Sequence, residues 1–445
     1  MPTTQLTRLA ERISGAVVLP GEPAYSDVKD GVVHRGEPAV VVRCASTDDV
    51  REALRCAREL DLPIAVRSSG HSNAGLSTND GGMVIDLRPM AEVRVLDPER
   101  GLVRLESGAT WGEAARVLGP HGLAISSGDT ATVGVGGLLL GGGIGWLVRR
   151  YGLAVDRLVA AELVTADGET VRASADSDPE LFWALRGGGG NFGVVTSFEL
   201  IADRVPGVHY AELSFPRDEA ATVLKGWRDY LRSAPDEVTS FAYLYPSFGG
   251  ERMPLYVAAC YAGEDRTAAE QALAPLLALG PALTSEVSAR SYEQMLGEAG
   301  PLPPGLVPVV RNRFADQLSD ELIDRLVAET DRMETLYVEL RSLGGAMAEV
   351  DPAATAFACR GGETLVTTVL LSNEPGPEAE FESLWSELGP LTSPFGYTGF
   401  LSTASAADVA AVYPPDTYRR LSAVKARLDP DNLFRSNHNI VPPPG

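Results

Sequence analysis

Over the first 205 residues, hydrophobic positions alternate between the two spacings that mark strands and helices. Residues 38–45 (PAVVVRCA) are an apolar run of strand length. Residues 48–60 (DDVREALRCAREL) carry apolar positions at helical spacing behind Ser46 and Thr47, which suit a helix N-terminus. PIAVR (63–67), GGMVIDL (81–87) and the start of LVRLESGAT (102–110) predict further strands, and WGEAARVLGPHG (111–122) a helix. Residues 158–173 have the two-run pattern of a hairpin with Asp167–Gly168 at its turn. A short helix (DPELFWALRG) and a strand (VVTSFELI, 194–201) follow.

From about 206 to 404 the texture changes. YAELSF, SFAYLYP, PLYVAACYAG, TLYVELRSLG and ETLVTTVLLSN predict strands; AAEQALAPLLAL, DELIDRLVAETDRM and PEAEFESLWSEL predict helices. That mixture predicts one antiparallel sheet covered by helices. The Pro-rich stretch 301–310 predicts a loop. Residues 405–445 hold a helix (DTYRRLSAVKARL), the breaker DPDN and an irregular tail. The expected organisation is therefore α+β, with units at 1–205, 206–404 and 405–445.

Composition narrows the function. Sixty acidic against 38 basic residues give a net charge of −22, which excludes nucleic acid and anionic membrane surfaces as natural partners. Four dispersed cysteines (Cys44, Cys56, Cys260, Cys359) fit isolated thiols in a reducing compartment rather than a disulfide or zinc framework. The N-terminus has no apolar signal region, and no apolar run is long enough to span a bilayer, so a cytoplasmic location is expected. Only three of the 38 basic residues are lysine, a bias of GC-rich bacterial coding.

Gly188, Gly190 and Gly193 satisfy G-x-G-x-x-G, with Glu212 at a ribose-binding distance. A helix precedes these glycines and a strand follows, the reverse of what a dinucleotide fold needs. Other glycines are more informative. Arg67-Ser68-Ser69-Gly70-His71-Ser72 directly follows a strand, where successive N–H groups can converge on phosphate. Seven glycines then crowd into residues 134–145, beside Val133, Val135, Leu138 and Trp146. That density lets backbone approach a large flat ligand. Residues 187–193 (GGGGNFG) invite the same argument.

These loops in this order, with the segment YRRLSAVKARLDPDNLFRSNHNI, resemble the covalent flavoprotein family of vanillyl-alcohol oxidase and the berberine bridge enzyme. The resemblance covers the first 205 residues and about the last 35. It implies FAD held between two α+β subdomains of a PCMH-type domain, with a substrate domain inserted. His71 matches the histidine bonded to the flavin 8α-methyl group, and Arg67, Ser68, Ser69, Gly70 and Ser72 match the pyrophosphate-side loop. The resemblance also assigns Gly128, Asp129, Thr132, Val133, Gly136, Gly137, Gly142, Gly145 and Val195 to the cofactor. It places Asn437-His438-Asn439 over the isoalloxazine.

Two departures refine this. Bicovalent members carry a cysteine four residues before the Gly134 position; Thr130 stands there, so a single link through His71 is expected, as in singly linked oxidases of bacterial natural-product pathways. The family's Tyr-x-Asn-Tyr segment reads Tyr397-Thr398-Gly399-Phe400, which lacks the second phenol. Tyr397 remains a candidate base, although an ordinary phenol has a pKa near 10. On the strand TLYVELRSLG, Tyr337, Glu339 and Arg341 share one face, either against substrate or as a salt-bridged patch. Val133 matches a position beside the flavin carbon that oxygen attacks, where the smaller residue goes with oxidases. The resulting expectation is an FAD-dependent oxidase of a small alcohol or amine, using O2 and giving H2O2, as a monomer or homodimer. The alternatives are a dehydrogenase with another acceptor, or a flavin-retaining cyclase or binding protein without net redox.

Overall fold

The computed structural model describes residues 3–247, 250–298, 306–372 and 377–443. Ser46, extended at φ −153°, accepts the Asp49 N–H and starts the helix Thr47–Glu59. That helix lies between strands of the first sheet: β1 (Ala16–Val18), β2 (Val40–Arg43), β3 (Ile64–Arg67) and β4 (Met83–Asp86). Their order is β1-β2-β4-β3, with β4 parallel to both neighbours. A second sheet contains β5 (Val93–Asp97), β6 (Leu102–Glu106), β8 (Leu158–Val164), β9 (Thr170–Ser174) and β10 (Val194–Ile201), in the antiparallel order β5-β6-β10-β8-β9. A small pair joins β7 (Leu123–Ala124) to β11 (Asp203–Arg204). Asp167 and Gly168 form the expected turn between β8 and β9, with Gly168 at φ +90°.

The third sheet has seven antiparallel strands. They are β12 (Val208–Phe215), β13 (Val238–Leu244), β14 (Leu255–Tyr261), β15 (Thr284–Arg290), β16 (Val309–Ala315), β17 (Leu336–Ser342) and β18 (Thr364–Leu370). Their order is β15-β12-β14-β13-β17-β18-β16. Ala242, Leu244, Val338 and Leu340 face a core shared with the helices Ala220–Leu231, Arg266–Leu277, Asp320–Arg332 and Pro377–Leu388. On the opposite face Phe241, Phe314 and Leu365 join the core of the second sheet, and Phe241 stacks on Trp146 at 4.1 Å. The sheet thus has helices behind it and the glycine loops in front.

Several elements differ from the sequence pattern. The 134–145 run is not loop throughout: Val135–Gly141 is helical, because Val135, Leu139 and Leu140 are buried and outweigh the poor helix propensity of glycine. Of the Pro-rich stretch expected to be a loop, residues 301–305 lie outside the described residues, and Val309 and Val310 begin β16. β15 is mostly exposed and polar, so it carries no alternating signal.

Candidate active site

A cavity of about 470 Å³ lies between the glycine loops, the seven-stranded sheet and the C-terminal tail. Ser68, Ser69, Gly70, His71 and Ser72 form one wall, continuing directly from β3. Gly128, Asp129, Thr130, Val133, Gly136 and Gly137 form another, and Val195 lies on the β10 side. Arg341 and Tyr397 border the cavity from the sheet side, and Asn437 from the tail.

Hydrogen bonds lock the loops to each other. Ser69 Oγ accepts the Gly134 N–H at 2.6 Å, and Ser68 Oγ donates to the Ser107 carbonyl at 2.5 Å. A Cβ on Gly134 would fall 2.1 Å from Ser68 Oγ, so no larger residue fits without displacing that loop. His71 is half-buried, its ring makes no hydrogen bond among the described residues, and burial pulls its pKa below the ordinary value.

Arg341 organises the sheet side. Its guanidinium lies 4.6 Å from the ring centres of both Phe241 and Phe400. It donates to Asp129 Oδ2 at 2.5 Å, and its Nε lies 2.7 Å from Glu339 Oε1 as an ion pair without hydrogen-bond alignment. Thr130 Oγ1 donates to the other Asp129 oxygen at 3.0 Å. Burial lifts the Glu339 carboxyl above its ordinary pKa and Asp129 adds to this, against the opposing pull of Arg341. Burial alone would lower the Arg341 pKa, but the two carboxylates raise it. Tyr397 is 4% exposed, its hydroxyl accepts the Gly143 N–H at 3.3 Å, and burial pushes its pKa up to about 12.

Comparison with known proteins gives this cavity a context. The family description "FAD binding domain" matches residues 38–174, and "Berberine and berberine like" matches residues 409–441. (R)-6-hydroxynicotine oxidase of Paenarthrobacter nicotinovorans is 34% identical, across 97% of both chains. The chain belongs to the vanillyl-alcohol oxidase and berberine bridge enzyme family. It is an FAD-dependent oxidoreductase. The crystal structure of 6-hydroxy-D-nicotine oxidase from Arthrobacter nicotinovorans has a TM-score of 0.86 at 31% identity, covering 97% of this chain and 98% of that one. Xylooligosaccharide oxidase from Myceliophthora thermophila, solved with xylobiose, has a TM-score of 0.87 at 25% identity, covering 100% and 99%.

The residues present suit the family's cofactor. A Cβ on Gly137 or Gly190, both on the wall, would meet nothing within 4 Å, so each leaves a flat opening onto the cavity. Asn437 on the wall has a buried Oδ1 without a partner, as does Asn439 behind it, and a polar ring edge could use such an acceptor. No cluster of His, Cys, Asp or Glu among the described residues could hold a metal.

Other expected site residues lie elsewhere. Arg67 is fully buried and its guanidinium donates to the carbonyls of Ser77, Val28 and Lys29, so it braces the loop and cannot reach a phosphate. Thr132 is exposed and does not line the cavity. Gly142, at φ +128°, packs under Phe357, and Gly145 abuts the Ser127 carbonyl; both shape the loop without lining it. Asn439, Tyr337 and Glu339 are also absent from the wall, the last two lying beyond Arg341 along β17.

The sequence pattern did not single out three positioning groups. Asn312 on β16 brackets the Tyr397 turn. Asn191 donates to the carbonyls of Gly188 and His438 and accepts the Ile440 N–H, joining the third glycine loop to the tail. Fully buried Lys425 pairs with Asp429 at 2.6 Å and donates to the carbonyls of Asn191 and Phe434. A lysine four residues before an aspartate, in a chain with only three lysines, was the available signal.

Proposed function

We propose that the protein is an oxidase of a small alcohol or amine, with residues 1–205 and 405–445 holding FAD and 206–404 shaping the substrate side. FAD is attached once, through His71. The observation that carries this reading is the pair of wall residues His71 and Thr130. His71 offers an imidazole that burial keeps neutral and that no protein group occupies. Thr130 offers a hydroxyl where a second link needs a thiol.

When bound, FAD supplies the redox chemistry, accepting hydride from a substrate C–H and passing two electrons to oxygen to give hydrogen peroxide. The chain's own residues handle position and proton. Arg341, fixed between two rings and two carboxylates, keeps a charge at the cavity edge and orients a polar substrate atom. Glu339 beside it is the acceptor for the substrate O–H or N–H proton. Tyr397 keeps its own proton and serves as a donor that holds the substrate.

Acid precipitation tests the attachment. The native protein should stay yellow, and His71→Ala should release its flavin under the same treatment. A flavin adduct to any other residue, or colour lost from the native protein, would sink the single-link reading. Peroxide formed in step with turnover separates an oxidase from a dehydrogenase.

A further inference from the structure

A second, much smaller space adjoins the main cavity. Its volume is about 10 Å³, room for one molecule of roughly water's size. Gly141, Tyr397, Thr398 and Tyr413 line both spaces and form the partition between them. At Gly141 that partition is bare backbone, and a Cβ there would crowd Thr398 Oγ1 at 2.9 Å. Ala358, Cys359 and Val412 line the small space alone and are partly exposed, which gives it a surface end. Gly187, Gly396, Ala356 and Ala358 supply almost no side-chain bulk, so the space stays unfilled.

The lining narrows what this niche would take. Tyr397 Oη accepts the Gly143 N–H at 3.3 Å, and Tyr413 Oη donates to the Gly187 carbonyl at 3.5 Å. The N–H groups of Ala356, Phe357 and Gly396 donate to the carbonyls of Trp183, Arg186 and Ala411. With these groups engaged, the wall offers a guest chiefly carbon, including the Phe357 ring and the Val412 side chain. A buried water needs several polar partners of its own. An ion would lose its hydration without compensation. A small apolar molecule gains by leaving water for such a place. Dioxygen meets both the size and the polarity.

We propose that this niche holds dioxygen and passes it into the flavin cavity between Gly141 and Thr398. The inference rests on the oxidase reading above and deepens it by giving the second substrate its own approach. A product lying against Arg341 then does not block oxygen. Oxygen that reaches the cavity takes two electrons from the reduced flavin and two protons from the reduced flavin and solvent, and leaves as hydrogen peroxide.

Two experiments on the flavin-loaded protein test this without an organic substrate. Crystals cooled under dioxygen pressure should show density beside Phe357, Ala358 and Val412 that crystals cooled under helium lack. Density equal in both gases is a water, and it would overturn the niche, as would none in either. In stopped flow, photoreduced protein mixed with aerated buffer should reoxidise severalfold more slowly in Ala358→Phe and Val412→Phe, with flavin absorbance and melting temperature kept. Val412→Ala, which removes bulk, should not slow it. The native crystals decide the matter if either Phe variant fails to fold. A fast native protein with unslowed Phe variants sinks the niche alone. A native protein that reoxidises only over many minutes sinks the oxidase reading and the niche's role with it.

Discussion

Asn312 holds Tyr397 by its backbone: Oδ1 accepts the Tyr397 N–H at 2.6 Å, and Nδ2 donates to the carbonyls of Tyr397 and Phe400 at 2.9 and 2.8 Å. One buried amide thus fixes both ends of the turn that brings the phenol to the cavity. Losing such bonds leaves buried backbone groups unpaired, at about 1–3 kcal/mol each. Asn312→Ala should lower the melting temperature and slow turnover. Tyr397→Phe unpairs only the Gly143 N–H, so it should lower the melting temperature less than Asn312→Ala does, and it should cost less than about tenfold in rate, since a phenol with a pKa near 12 is already protonated and cannot serve as the base. A loss of 10²-fold or more in Tyr397→Phe would return the base to this residue.

Glu339 accepts a proton only as its carboxylate. The rate of flavin reduction should therefore rise with pH as Glu339 loses its proton, with a midpoint above the ordinary 4.5 because burial favours the neutral acid. Removing a general base costs roughly 10²–10⁴-fold, so Glu339→Gln should slow reduction on that scale and remove the acid limb. Stopped-flow reduction across pH measures both. A limb that persists in Glu339→Gln belongs to another group.

Val133 lies half-buried on the cavity wall, its backbone fixed between Thr130 and Trp111. Because Val133 lines the cavity, a bulkier side chain there narrows it. Val133→Leu should slow reoxidation of anaerobically reduced protein by aerated buffer, with flavin content unchanged. Reoxidation over many minutes in the native protein would favour the dehydrogenase reading.

Lys425 and Asp429 are both fully buried. Removing one partner of such a pair costs roughly 3–5 kcal/mol, because the remaining charge is stranded. Lys425→Met should show a loss of this size in denaturant unfolding. Lys425→Met with Asp429→Asn should recover part of it, since no charge is stranded and the amide oxygen can still accept one of the two N–H groups, of Leu433 and Phe434, that the two carboxylate oxygens hold.

The parts of the site visible in the sequence are those built from adjacent residues. Ser46 announces its helix, the serines and His71 follow β3 without interruption, and crowded glycines mark where a wall must be thin. Charge could also be counted, but its destination could not. Arg67 sits beside His71 in sequence, yet its guanidinium turns the other way, into carbonyls of residues 28, 29 and 77. Asn312 and Tyr397 are 85 positions apart, and Asn191 and Ile440 are 249 apart. Such pairings depend on how three sheets stack, which no local spacing encodes. The helix Val135–Gly141 failed as a local inference for the same reason: its glycines are poor helix formers held in place by neighbours.

Phe434, Ser436, Asn437 and His438 complete a cavity whose first wall is residues 68–72. During synthesis, therefore, the histidine proposed to bind flavin is made early, but its pocket has no closing side until residue 438 has been added and Lys425 has docked the tail. Cofactor capture must then follow translation of this segment rather than accompany folding of the first sheet. A chain stopped before Phe434 should emerge colourless even where its β1–β4 sheet has formed.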